Sequence, residues 1–179
     1  MSYPESVLTP WGRWFDRLSA LPDEALEQLD IGDLNLRCAW GLPESVEHLH
    51  NDCLDLLDEW AEQLRKFTRS LEHHFRSSPE EYDHSEQIFQ ALVMVTFVQR
   101  ELGVRYNFAF MEGEYDAPDQ RNNFIGGVLT GFGGTCASLP ILYAALGERV
   151  NYPRQSHQKL EELFAWHLPL SSVIAKDSF

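Results

Sequence analysis

The sequence predicts a mainly α-helical fold, and three observations carry that prediction. Apolar residues recur at intervals of three and four through most of the first hundred positions, the spacing of one face of a helix. Pro, Gly and Ser fall where those stripes stop. No segment sustains the strict apolar–polar alternation of a half-buried strand, although short extended pieces fit near 104–110 and 170–174.

Taken in order, Trp11, Trp14, Phe15 and Leu18 form the stripe of a first helix. A second starts at Pro22-Asp23-Glu24, where a proline and two acids suit a helix N-terminus, and carries Leu26, Leu29, Leu34 and Leu36 with Gly32 as the expected break. Leu54, Leu57, Ala61, Leu64, Phe67, Leu71 and Phe75 predict one long amphipathic helix over 51–76, charged on its far face and ended by Ser77-Ser78-Pro79-Glu80. Residues 85–102, with Ile88, Phe89, Leu92, Val93, Met94, Val95 and Phe97, read as a nearly all-apolar helix closed by Gly103 and central to the core. Between 103 and 134 the texture turns to Gly, Asn, Asp and aromatics, which suits a long ordered loop with a short helix near 121–130, and such loops often carry function. LPILYAALG, 139–147, predicts a buried helix ending at Gly147, and Lys159 to Trp166 a further short one. Neither repeats nor low-complexity segments are present.

Composition bounds the function classes. The chain has 179 residues, 44% hydrophobic and 23% charged, enough for one packed domain. Its 14 Lys and Arg against 28 Asp and Glu give a net charge of -14, which repels nucleic acid and anionic membranes at long range. The start MSYPESVLTP lacks the basic and apolar regions of a signal peptide, and no apolar run approaches a membrane span, so a cytoplasmic location is expected. Cys38, Cys53 and Cys136, odd in number and far apart, read as reduced thiols rather than a disulfide framework.

The stretch GFGGTCASLP, 131–140, is the strongest candidate for chemistry. A thiolate is favoured at a helix N-terminus by unpaired N–H groups and the helix dipole, and Cys136 stands at such a junction. Gly131, Gly133 and Gly134 permit close approach to the backbone, and Thr135 is able to cap. Pro140 has no N–H to give the Cys136 carbonyl. Either the first turn is therefore loose, or Ser138 is the cap and Cys136 lies just before the helix. A small buried cysteine in a tight turn is the competing structural reading.

A cysteine nucleophile needs a base, and the chain downstream offers His157 and His167. Upstream, His48, His50, His73, His74 and His84 fall in helical segments among charged neighbours, where a solvated histidine is the default. His48, His50 and Cys53 resemble a metal cluster, but helix positions i and i+2 point apart and no second ligand pair follows, so no metal is expected. Glu112, Glu114, Asp116 and Asp119 read as a solvated acidic loop. No cofactor is expected either.

RNNFIGGVLTGFGGTCASLPILYAALGERVNYP resembles the bacterial transglutaminase-like proteins of the SirB-type branch, with their Arg-Asn or Arg-Asp turn, Gly-Thr-Cys-x-Ser-x-Pro-x-Leu-Tyr and Gly-Tyr-Pro ending. LDIGDLNLRCAWGLP, SEQIF and VQRELGVRYN look like the helical segments before that core, so the resemblance covers about 26–153. It implies a papain-like α+β core with a helical bundle packed on its helical part, and Cys136 as the nucleophile of thiol acyl transfer or amide hydrolysis on a protein or peptide. It also implies a His on the strand after the helix and an acid on the next. Here RQSHQKLEELFAWH follows Pro153 instead, with Glu162 where His would stand, so most of the sheet is missing. Two explanations compete: a shortened relative that has lost the activity, or a reading frame shifted near residue 153. The segments are then a helical N-terminal region 1–102, a core loop and Cys helix 103–153 and a divergent tail 154–179, forming one compact unit. The alternative function is a non-catalytic interaction or regulatory scaffold. An apolar patch left by the unfinished core would drive homodimerisation.

Overall fold

The computed structural model describes residues 10–42, 45–107 and 119–152, and these are mainly helical, with no strand among them. The helices are α1 Pro10–Ser19, α2 Asp23–Leu26, α3 Ile31–Cys38, α4 His50–Ser77, α5 Glu86–Thr96, α6 Ile125–Leu129 and α7 Ser138–Arg149. Among the described residues no helix is long and apolar enough to cross a membrane. The expected helix near 159–166 and the extended piece near 170–174 lie outside the described residues. Of the piece near 104–110, the described part makes a single parallel bridge between Tyr106 and Gly134.

The described residues sort into two compact units, 10–55 with 106–141, and 56–105 with 142–152. In the first, α3 is capped by Asp30, whose side chain accepts the Asp33 N–H at 2.9 Å. The break after α2 therefore lies at Asp30. Gly32 does not break the helix; it is buried inside α3, a correction to the expected boundary. The Asn35 side chain accepts the Ile125 N–H at 2.9 Å and so fixes the start of α6. A Cβ on Gly126 would sit 2.3 Å from Val46 Cγ2 and 3.4 Å from Leu36 Cδ2, so a side chain there would collide with Val46 while only touching Leu36 of α3. The first stripe is only partly buried: Phe15 keeps 43% of its surface exposed.

In the second unit the apolar face of α4 (Leu57, Ala61, Leu64), Ala91 and Met94 of α5, and Leu142, Tyr143 and Leu146 of α7 are shut off from solvent. Ser85 caps α5 by accepting the Ile88 N–H at 3.3 Å. After Thr96 the helix widens into a π turn over Phe97–Glu101 and stops at Gly103, whose φ of 66° is the left-handed value glycine tolerates. At the far end of α7, Gly147 is buried within the helix and does not end it. The chain leaves at Asn151, φ 60°, with the Tyr152 N–H bonded to the Gly147 carbonyl at 2.9 Å. Arg149 Nε reaches Asp58 Oδ1 at 2.8 Å, and the Tyr152 hydroxyl shares a 2.5 Å hydrogen bond with Thr68, tying the end of α7 to α4.

Candidate functional site

The turn before α7 is held by hydroxyls rather than by a helix cap alone. Gly131 (φ 83°) and Gly133 (φ 96°) bend the chain, after which the Gly134 carbonyl accepts the Asn107 N–H at 2.7 Å. Thr135, fully buried, donates its hydroxyl to the Asn122 carbonyl at 2.5 Å and accepts the Ala137 N–H at 3.2 Å. Ser138, equally buried, accepts the Thr135 N–H at 3.0 Å, and the Asn107 side-chain amide donates to Asn122 Oδ1 at 3.1 Å. The Leu139 N–H bonds to the Thr135 carbonyl at 3.0 Å, but Pro140 offers the Cys136 carbonyl nothing, so regular helix begins only at Ser138. Both sequence alternatives are partly realised: the first turn is loose, and Cys136 lies just before the helix.

Cys136 is exposed at this turn, which excludes the small buried cysteine as its description. Tyr106, carried there by the bridge to Gly134, places its phenol within hydrogen-bonding reach of Cys136. Burial, the negative charge of Cys136 in its thiolate form and the side-chain hydrogen bond with it push the Tyr106 phenol up, while a hydrogen bond with the Cys136 backbone opposes them. The sequence did not single out Tyr106 as a site residue, although it lies in VQRELGVRYN, which the resemblance covers, and in the extended piece expected near 104–110.

Arg121 grips Asp119 through Nε, at 2.9 and 3.1 Å to its two oxygens, and Nη2, at 2.6 Å, and its guanidinium stacks 4.2 Å from the Phe132 ring centroid. Arg121's side-chain hydrogen bonds hold the Asp119 carboxyl below the usual carboxylate range. Asp119, expected as part of a solvated acidic loop, is thus engaged by Arg121. Val46, His48, Leu49, Arg121, Thr130 and Phe132 border a shallow groove of about 450 Å³ in this unit.

His157 and His167 lie outside the described residues. Of the upstream histidines, His48, His73 and His84 are exposed and His74 is half-buried. His50 overturns the solvated default. It is 8% exposed, with Nε2 at 2.8 Å from Asp33 Oδ1, and it packs edge-on to Trp40, because Asp33 is fixed from the other side by Arg37. Cys53 is buried, and burial together with Asp52 pushes its thiol up; burial does the same at Cys38. Among the described residues no group of three His, Cys, Asp or Glu side chains is placed to hold a metal ion. Comparisons with models of known protein families, with curated proteins and with solved structures found no match to this chain.

Proposed function

We propose that the chain is a transglutaminase-like protein, its helical bundle packed on the helical part of that family's α+β core, in which Cys136 is a thiol nucleophile. The thiolate adds to the carbonyl of a protein or peptide amide, the C–N bond breaks with the nitrogen leaving as a protonated amine, and the thioester passes its acyl group to water or a second amine. His157 or His167 takes the thiol proton and returns it to the leaving nitrogen. The observation that carries this reading is an exposed thiol on a turn whose backbone is pinned from beneath by Thr135, Ser138 and Asn122. The location proposed is cytoplasmic, on a start without the basic and apolar regions of a signal peptide, and a nucleic-acid partner is disfavoured by the charge of -14.

Alkylation of the full chain with iodoacetamide across pH, read at Cys136 by peptide mass spectrometry, tests it. Labelling at Cys136 that abolishes acyl transfer, and a thioester trapped from a glutamine peptide by hydroxylamine, are expected. Absence of acyl transfer, or acyl transfer that survives complete alkylation of Cys136, defeats the proposal. A second reading, a non-catalytic scaffold for a protein partner, is supported by the same turn. Thr135, Ser138 and Asn122 bond to one another and to the turn's own backbone, so GGTCAS serves as an architectural motif without any reaction.

A further inference from the structure

The exposed side of α4 carries an ordered pattern of sign. Asp52, Asp55, Glu59 and Glu62 occupy its first half and Lys66, Arg69, His73 and Arg76 its second, all exposed and spaced alternately by three and four residues, the repeat of a two-helix seam. The helix dipole favours acids at the start and bases at the end, but it fades within the terminal turns and does not reach Glu59, Glu62 or Lys66 in mid-helix. Within one helix the pattern is largely unfavourable, because Asp52 and Asp55, Glu59 and Glu62, and Lys66 and Arg69 are like charges three residues apart, and Asp55 and Glu59 four apart. The intrahelical pairs it makes, Arg65 with Glu62 at 2.8 Å, Lys66 with Glu62 at 3.6 Å and Arg76 with Glu72 at 2.7 Å, are largely solvent-exposed and weak, so they leave the acids open to a partner.

The two halves are mirror images about residue 64. Run antiparallel against itself, the helix sets Asp52 opposite Arg76, Asp55 opposite His73, Glu59 opposite Arg69 and Glu62 opposite Lys66, and the two-fold axis repeats each pair. We propose that α4 is a self-pairing surface whose partner is a second copy of this chain, docked antiparallel through this charged stripe. The apolar face of the same helix, Leu57, Ala61 and Leu64, is already buried and takes no part. The dimer is salt-sensitive in a particular way. Two chains of net charge -14 repel at long range, and at ~0.15 M salt, where the Debye length is ~8 Å, that repulsion is screened while contact pairs persist. At ~1 M salt, where the length is ~3 Å, the pairs weaken as well. This proposal is independent of any chemistry at Cys136.

Sedimentation equilibrium of the full chain at ~0.15 M and ~1 M salt, with circular dichroism to confirm helicity, tests it. Wild type is expected to dimerise at the lower salt and dissociate at the higher. Glu59→Arg and Arg69→Glu, each facing a like charge across the axis, are each expected to weaken the dimer about tenfold or more, and the double variant, which restores opposite signs, to recover it. A monomer at ~100 µM in ~0.15 M salt overturns the proposal. So does a dimer indifferent to the single reversals, or a double variant as weak as its parents.

Discussion

Replacing Thr135 by Val tests the architecture of the turn directly, because the two side chains are nearly the same shape and differ in one hydroxyl. That hydroxyl donates to the Asn122 carbonyl and accepts the Ala137 N–H, both in a region where Thr135 is fully buried. Valine leaves a carbonyl and an amide without partners. With one buried unsatisfied group worth about 1–3 kcal/mol and Ala137 half open to water, the expected loss is about 2–4 kcal/mol. For a chain of this size 1 kcal/mol moves the melting temperature by about 2–4 °C, so Thr135→Val should melt roughly 5–15 °C lower. Thr135→Ser keeps both hydrogen bonds and removes one methyl, costing about 1 kcal/mol. Calorimetry on the three proteins separates the effects. If Val melts within about 2 °C of wild type, or if Ser falls as far as Val, the hydroxyl does not hold the turn and the reasoning fails.

Two further substitutions follow from the same structure. Gly127→Ala places a Cβ 2.0 Å from the Arg121 carbonyl oxygen, so despite alanine's better helix propensity the urea midpoint should fall by the equivalent of about 1–3 kcal/mol or more, and an unchanged or higher midpoint would show that α6 does not lie against that carbonyl. Tyr143 is nearly solvent-free, and burial pushes its phenol from 10 up to about 12 against the opposing hydrogen bond with Gln99. The folded state therefore holds the proton more tightly than the unfolded one. This stability is complete below pH 10 and disappears as pH rises towards 12, about 2–3 kcal/mol in all, and Tyr143→Phe should flatten that alkaline decline in chemical denaturation.

The long helices were legible because their cores are written at a single period. Leu57, Ala61 and Leu64 are buried as the spacing of α4 requires, and Ser85 caps α5 where the sequence placed its start. Glycine as punctuation held at Gly103 and failed at two other helix ends. Gly32 and Gly147 are buried inside helices, and the chain is broken or turned instead by the Asp30 cap and the left-handed Asn151. A glycine's effect on a helix depends on what its missing side chain leaves room for, which the local sequence does not contain. His50 failed for a related reason. Its charged sequence neighbours suggested solvent, whereas its surroundings are Asp33 and Trp40, brought from α3 and the turn after it.

For the candidate site, the position of the thiol was readable and its chemical setting was not. GFGGTCASLP marks a turn entering a helix, and the structure places an exposed cysteine there, but Tyr106 reaches it from a segment well upstream through one bridge that no local pattern announces. Tyr106 constrains what the site is able to do. With its phenol pushed up, it stays protonated at neutral pH and acts at Cys136 as a hydrogen-bond donor, not as the acceptor of the thiol proton. Thr135, Ser138 and Asn122 are engaged in holding the turn and carry no group basic enough for that task. Any thiolate made at Cys136 by proton transfer to the protein therefore needs a base from outside 131–140. That makes His157→Ala and His167→Ala the informative partners for Cys136 alkylation: loss of pH-dependent reactivity in one of them identifies the base, and reactivity unchanged in both removes the acyl-transfer mechanism as written.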